Sequence, residues 1–398
     1  MDIHIKELLE KQVKNNMEFQ HLFEAIHNKI CSFICFQSDN EPIVLTNWVV
    51  STWFFREFLF TPYIHIYSPE PQCGKSTLMK ILKFMTYKPK MMQNPSSALY
   101  RWIEQDAGTL FIDEIDKLQM DARAELIGML NVGFEQDGAK VIRMEGTKHT
   151  PTEFEVFCPK VFAGIEARKL EEATRTRSIP VALDKKDGTV KLRRAFTGKG
   201  FKEEFLNEIE LPLEHLASEV TDDYNPFWSE DDYYTMLNIL ASVNPDDRAV
   251  DIGSPLLTIA SMGSLEWTIK TINAINTLTL SREKNENYKN EFWKLVKEIY
   301  EQTTEENIFS KDLAEKINDN LDSQFTQWNR GNGINAKDIA KILSDYYIDS
   351  KNVRIGHQVL KGYCWNDLIP VMQKYSTEKI DIKSTLVELP LQQEVFYE

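Results

Sequence analysis

An α/β fold built on a parallel sheet is what this sequence predicts, and three observations carry the prediction. A short apolar run, Tyr63 to Tyr67, breaks into a loop rich in proline and glycine, and apolar spacing from Leu78 to Phe84 then fits a helix. A second apolar run, Thr109 to Ile112, ends in two adjacent carboxylates, Asp113 and Glu114. Further buried runs at Pro159 to Gly164 and Arg177 to Leu183 read as strands, with helical patterns between them.

Composition bounds the rest. The chain has 398 residues, enough for two or three domains, and 42% hydrophobic with 27% charged residues is ordinary for a globular protein. A net charge of −15 excludes a generally basic nucleic-acid coat, so any DNA contact has to be a local basic patch. The five cysteines have no metal-ligand spacing, and Cys31 and Cys35, one helical turn apart, read as buried packing. The start of the chain is not a basic signal region, and the apolar run Trp48 to Phe60 is interrupted by Arg56 and Glu57. The expectation is a reduced, cytoplasmic protein without a membrane partner.

Taken in order, residues 1–60 form a helical N-terminal segment. Apolar positions recur from Ile5 to Ile30, and an apolar helix from Ile43 to Phe58 follows the turn at Asp39 to Pro42. Residues 61–199 are the α/β core, with a short strand at Met91 and Met92 and helices at Ser96 to Glu104 and Asp121 to Leu130. Within this core, alternating patterns at Lys140 to Glu145 and Glu153 to Phe157 flank a polar tip and predict a β-hairpin. Residues 200–284 are helical and read as a lid, with the charged stretch Ser281 to Asn287 as a linker. Residues 285–376 run helix, helix, hairpin, helix, which is winged-helix order, and 377–398 form a tail without a clear period.

Strand, loop, Gly74-Lys75-Ser76, helix is the layout of a phosphate-binding loop. Backbone N–H groups curl round a β-phosphate, Lys75 reaches the β/γ oxygens, and the Ser76 hydroxyl joins the shell of Mg2+. Pro71, Gln72, Cys73, Gly74, Lys75, Ser76 and Thr77 are the expected nucleotide contacts. The position six before the lysine is Pro69, where a glycine is usual, and a proline donates no N–H. The plain alternative is a chance Gly-Lys-Ser at a helix start. A parallel strand beside the loop strand would deliver Asp113 to Mg2+ and Glu114 to an attacking water. An edge strand running into an acidic helix cap explains neither their order nor their distance from the loop.

Several cations suggest further roles. Arg175 and Arg177 lie past the Gly164 strand, where ring-forming ATPases carry an arginine that reaches the neighbouring subunit's γ-phosphate; a salt-bridged pair is the alternative. Arg248 begins a lid helix and would read the γ-phosphate, or else bridge to Asp247 or Asp251. Lys148 and His149 sit at the hairpin tip, suited to a strand of DNA in a central pore, or simply to an exposed turn. Lys337, Lys341, Lys351, Arg354, His357 and Lys361 would line one DNA-binding face of the C-terminal unit, with Tyr363 and Trp365 in its core. Many winged helices bind protein instead.

With these residues laid out, the chain resembles a bacterial P-loop family of unknown function found on phages, plasmids and genomic islands. The stretches that carry the resemblance include Asn47 to Trp53, Ser68 to Ser76, Ala98 to Arg101 and Leu110 to Glu114. Leu130 to Gly133, Val156 to Lys160, Arg177 to Ile179, Asp247-Arg248, Pro255 to Leu257 and Lys361 to Tyr363 continue it. Pro69 is that family's own form of the loop. A wider resemblance is to AAA+ proteins of the MCM-like and superfamily-3 helicase group, resting on the inserted hairpin and the C-terminal unit. The resemblance implies an ATP- and Mg2+-dependent AAA+ DNA helicase or translocase of a mobile element. It would act as a homo-oligomer, a hexamer, with single strand in the pore and duplex at the winged helix. The alternative is an ATP-controlled DNA-binding or assembly switch that never unwinds.

Overall fold

The computed structural model describes residues 3–68, 72–92, 97–115, 120–145, 150–164, 171–186, 192–193, 198–221, 223–283, 287–320 and 323–375. The chain divides at 282/283, within the charged stretch Ser281 to Asn287, into two compact units.

The first unit begins with three helices, α1 (Ile3–Gln12), α2 (Met17–Phe33) and α3 (Asn40–Ser51). The periodicity from Ile5 onward reads as continuous, but the chain breaks at Asn15, whose φ is 51°. Asn16 then caps α2, its side chain accepting from the N–H groups of Glu18 and Phe19. Because α2 ends at Phe33, Cys35 lies beyond the helix, not one turn along it from Cys31.

The strands and helices that follow are β1 (Tyr63–Tyr67), α4 (Lys75–Leu82), β2 (Lys90–Met92), α5 (Ser97–Asp106), β3 (Leu110–Ile112) and α6 (Met120–Val132). After the hairpin β4 (Lys140–Glu145) and β5 (Thr150–Glu155) come β6 (Lys160–Ala163), α7 (Glu172–Thr176) and β7 (Ser178–Ala182). Five of these strands form one parallel sheet in the order β2-β3-β6-β1-β7. The runs are nearly all buried, as expected of a parallel sheet covered on both faces. One expectation is corrected: β3 does not lie beside β1. β6 stands between them, so the carboxylate strand is two sheet spacings, about 10 Å, from the loop strand.

The helical stretch after the sheet comprises α8 (Lys199–Phe205), a π-helical turn at Leu206–Glu210, α9 (Leu211–Ser218), α10 (Glu230–Val243), α11 (Asp247–Ser261) and α12 (Leu265–Glu283). It shares one hydrophobic core with α1–α3 and the sheet, running from Ile5 to Leu278. Asn47 is the buried polar tie: its amide donates to Thr271 Oγ1 at 3.0 Å, and its carbonyl accepts from Trp267 Nε1 at 3.0 Å. Trp48, fully buried, donates to the Pro62 carbonyl at 2.8 Å and so docks α3 at the entry to β1. Truncating such a side chain to alanine costs about 3–5 kcal/mol.

The second unit contains α13 (Asn287–Glu301), β8 (Asn307–Phe309), α14 (Ser310–Asn318), α15 (Trp328–Gly331), α16 (Ala336–Ser344), β9 (Lys351–Ile355), β10 (Gln358–Cys364) and α17 (Trp365–Tyr375). Its three strands form an antiparallel sheet, β8-β10-β9, over a separate core that holds Trp293, Phe325, Tyr363 and Trp365. Residues 376–398 lie outside the described residues. No described helix is long and apolar enough to cross a membrane.

Candidate functional site at the end of the sheet

All five strands of the sheet run the same way, so the segments leaving β1 and β3 emerge at one edge. Register makes this specific. Ile112 is level with Phe162, and Phe162 with His65, so Asp113 and Glu114 leave the sheet about one residue below the end of β1 at Tyr67. The Lys75 end of α4 and the two carboxylates therefore face the same space. The 10 Å between β1 and β3 gives it width.

The loop between β1 and α4 shows the backbone this space requires. Gln72 and Gly74 have φ of 67° and 95°, which turns the chain sharply ahead of the helix. Gly74 is the position where backbone conformation disfavours any side chain, because its φ lies in the left-handed region; a would-be Cβ would meet only Ile34 Cδ1, at an ordinary contact distance of 3.4 Å. Lys75 Nζ donates to Ser68 Oγ at 2.5 Å, bridging the two ends of the loop. Ser76 is exposed and Thr77 half-buried on the first turn of α4, whose N-terminus favours an anion. Pro69 and Pro71 lie outside the described residues.

Asp113 is half-buried and Glu114 exposed. Glu114 has φ of 55°, a left-handed conformation that costs a non-glycine residue about 1–2 kcal/mol. Asp113 Oδ1 stabilises this kink by accepting from the Glu114 N–H at 2.9 Å. The adjacent carboxylates are therefore set at different angles, one tied to the backbone turn and one beyond it. Among the described residues no group of three or more His, Cys, Asp or Glu could hold a metal. Magnesium bound through one carboxylate, a hydroxyl and phosphate oxygens needs no such group.

A cavity of about 400 Å³ adjoins the loop. One wall is Gln72, Cys73, Gly74, Thr77 and Lys80; the other comes from the end of α2, the exit of β7 and Leu192 with Arg193. Two backbone bonds hold that second wall together, Gln37 N–H to Ala182 O at 3.2 Å and Asp184 N–H to Cys35 O at 3.0 Å. The volume lies within the range of small-molecule sites.

The remaining predicted residues divide into groups. Arg177 follows α7 at the start of β7, and its carbonyl accepts from the N–H of Tyr63, the first residue of β1. It therefore sits at the opposite edge of the sheet from Lys75, roughly 15 Å away along five strand residues. Arg248 lies with Arg177 and not with Lys75: both guanidinium groups pack over the Phe134 ring, and Arg248 Nη1 donates to Asp251 Oδ2 at 3.0 Å. Of the two expectations for Arg248, the bridge to Asp251 is the one formed; the γ-phosphate role is not available within its own chain. Burial lowers the Arg177 pKa first, and the neighbouring Arg248 charge adds to it. Arg175 is half-buried in α7. The hairpin forms, in register from Lys140 with Glu155 to Glu145 with Thr150, so its second strand begins at Thr150 and ends at Glu155, earlier than the predicted Glu153 to Phe157; the tip with Lys148 and His149 lies outside the described residues.

In the second unit Lys337, Lys341, Arg354, His357 and Lys361 are all exposed. Lys337 and Lys341 share a face of α16, and Arg354 and Lys361 share a face of the β9–β10 ribbon. Lys351 departs from the expected single face. It has the opposite parity on β9 and donates to Asp367 Oδ2 at 2.6 Å, which neutralises it.

Sequence reasoning missed the far wall of the cavity. Phe33, Asp184 and Arg193 come from segments distant along the chain, and no local pattern marks them. Ser68 was within reach, because a hydroxyl at the end of the strand is a natural partner for the loop lysine.

Against known sequence families, residues 219–375 match one described as a protein of unknown function (DUF3631). That covers less than half of the chain. It contains most of the helical stretch after the sheet and the second unit, and includes neither the loop nor the carboxylates. No curated protein matches this chain.

Proposed function

We propose that this chain is an ATP-hydrolysing AAA+ enzyme that moves along or unwinds DNA as an oligomer in the replication of a mobile genetic element. The observation that carries the reading is that Lys75 at the head of α4 and Asp113-Glu114 at the end of β3 emerge at the same edge of one parallel sheet. On this reading ATP would supply the reactive phosphoanhydride, and Ser76 and Asp113 would hold the Mg2+ that offsets its charge. Lys75 exchanges its Ser68 contact for the β/γ oxygens. Glu114 orients the attacking water and takes its proton. The sheet order is in keeping with an AAA+ core, and the helices and small sheet of the second unit are in keeping with a winged helix.

Arg177 lies too far from its own loop to touch the same nucleotide, which supports action across a subunit boundary. The exposed cations of α16 and the β9–β10 ribbon support duplex binding. The alternative, an ATP-controlled switch that binds DNA without moving on it, is favoured by the net charge of −15, which repels DNA away from those few cations.

ATP binding and turnover test the reading together. Lys75→Ala should lose ATP affinity, because a cation on the β/γ oxygens is gone. Glu114→Gln should bind ATP normally and hydrolyse it at least about a hundredfold more slowly. Equal loss of binding in both variants would rule out this division of roles. Strand displacement on a forked duplex then separates the helicase from the switch.

A further inference from the structure

We propose that Arg193 is the platform on which the base of the bound nucleotide stacks; this rests on the nucleotide reading above. The cavity beside the loop is the starting point. Its 400 Å³ extends past Gly74 and Thr77 to Arg193, well beyond the space a triphosphate would fill at the head of α4. The rest of a nucleotide is a sugar and a flat, polarisable ring. The far wall therefore has to offer a flat partner.

Arg193 is held as one. Its Nη1 and Nη2 donate to Glu204 Oε1 and Oε2 at 2.7 and 2.9 Å, a two-pronged pairing that fixes the guanidinium plane. One side of the group lies over the Phe33 ring, 5.0 Å from its centroid, and its backbone N–H donates to Ser32 O at 2.8 Å. Glu204 is itself anchored by the buried Lys29 at 2.5 Å, and Lys29 also meets Glu208 at 2.6 Å. Arrays of this kind hold an orientation better than a lone surface cation does, since each member restricts the next.

The pairing with Glu204 uses two of the five guanidinium N–H donors, one from each Nη, and it fixes the plane without covering its face, because both bonds lie in that plane. A guanidinium plane held in this way stacks on aromatic rings, as it already lies over Phe33 on the cavity wall. Lys80 and Lys186, also on the cavity wall, are point charges without a plane and cannot substitute in this role. A purine offers the larger overlap, so purine nucleotides should be preferred over pyrimidine ones.

The test compares ATP with inorganic tripolyphosphate, which has the phosphates but no base, by calorimetric titration of the full chain. Arg193→Ala should weaken ATP about tenfold, the size of a lost base-stacking contact, and leave tripolyphosphate unchanged. Arg193→Lys keeps the charge without the plane and should weaken ATP as much. In both variants the preference for ATP over CTP should shrink. Unchanged ATP affinity in Arg193→Ala would overturn the proposal, and so would an equal loss for ATP and tripolyphosphate, which would make Arg193 a phosphate contact. Failure of the unaltered protein to bind either compound would instead sink the nucleotide reading on which the proposal depends.

Discussion

The guanidinium groups of Arg177 and Arg248 lie against one ring, with Cζ atoms 5.8 and 5.3 Å from the centroid of Phe134. Two cations share this place because the aromatic face attracts both and Asp251 neutralises part of the charge. Arg177 Nε is buried without a hydrogen-bond partner among the described residues. On the function proposed above, this pair, at the sheet edge away from Lys75, would meet an anion brought by another molecule.

If that molecule is a second copy carrying ATP, two inactive variants should complement. Arg177→Ala retains Glu114, and Glu114→Gln retains Arg177, so a mixed interface holds one complete set. Mixing the two proteins should restore part of the ATPase activity that each lacks alone. Turnover at the unaltered rate by Arg177→Ala by itself would remove Arg177 from the chemistry.

The second unit should account for duplex affinity. Each phosphate contact contributes about −0.9 to the slope of log affinity against log salt. Replacing Lys341 and Arg354 together, one cation from α16 and one from the ribbon, should flatten that slope by roughly two units and weaken binding. A slope that does not change would mean this unit docks on protein.

His65 makes stability depend on pH. It lies in the middle of β1, fully buried between Tyr67 and Phe162, and Nε2 has no hydrogen-bond partner among the described residues. Burial holds its pKa down to about 3, against 6.5 for the ordinary group. The unfolded chain therefore binds a proton below 6.5 that the folded chain refuses until about 3. Its neutral form costs nothing above that window, and stability falls by about 1.4 kcal/mol per pH unit as pH drops through it. Urea unfolding of the unaltered protein and of His65→Phe should diverge by about 1.4 kcal/mol between pH 7.5 and pH 5.5. A difference that stays constant across those two pH values would show that His65 is not neutral in the fold.

Gly133 and Lys160 form a single structural unit. The Lys160 ammonium is fully buried and donates to the carbonyls of Gly133, Val156 and Cys158 at 3.1, 2.9 and 2.9 Å, with the Tyr63 ring 4.9 Å away. Burial lowers its pKa, and the neighbouring Cys158 thiol opposes that shift. A Cβ on Gly133 would fall 2.4 Å from the Val156 carbonyl and 2.9 Å from this ammonium. Gly133→Ala and Lys160→Met should each cost roughly 3 kcal/mol or more in urea unfolding, one by displacing backbone and the other by stranding three carbonyls. A loss below about 1 kcal/mol in either would show that this corner relaxes freely.

The Gly133–Lys160 contact explains why Leu130 to Gly133 and Val156 to Lys160 stand out in the sequence although neither carries chemistry. Their residue types answer to each other across the hairpin, and only the folded chain shows the pairing. Ile64, Phe111, Val161 and Ile179 were legible as strand residues because a strand buried on both faces must be apolar throughout. The order of those strands was not legible. Apolar runs say that strands are buried, while the length of each crossover and the packing of α4, α5 and α6 decide which are neighbours.

By itself the sequence determined the loop at Gly74-Lys75-Ser76, the paired carboxylates Asp113 and Glu114, the hairpin and the basic positions of the second unit. Each is a local pattern, set by backbone conformation or by alternation along a few residues. The tertiary structure alone decided that β6 separates the carboxylate strand from the loop strand, that Arg248 joins Arg177 on Phe134, and that Arg193 reaches the cavity beside Gly74. Those relationships join residues far apart in the chain. They depend on how whole helices and strands bury their apolar faces against one another, and no single stretch of sequence encodes that.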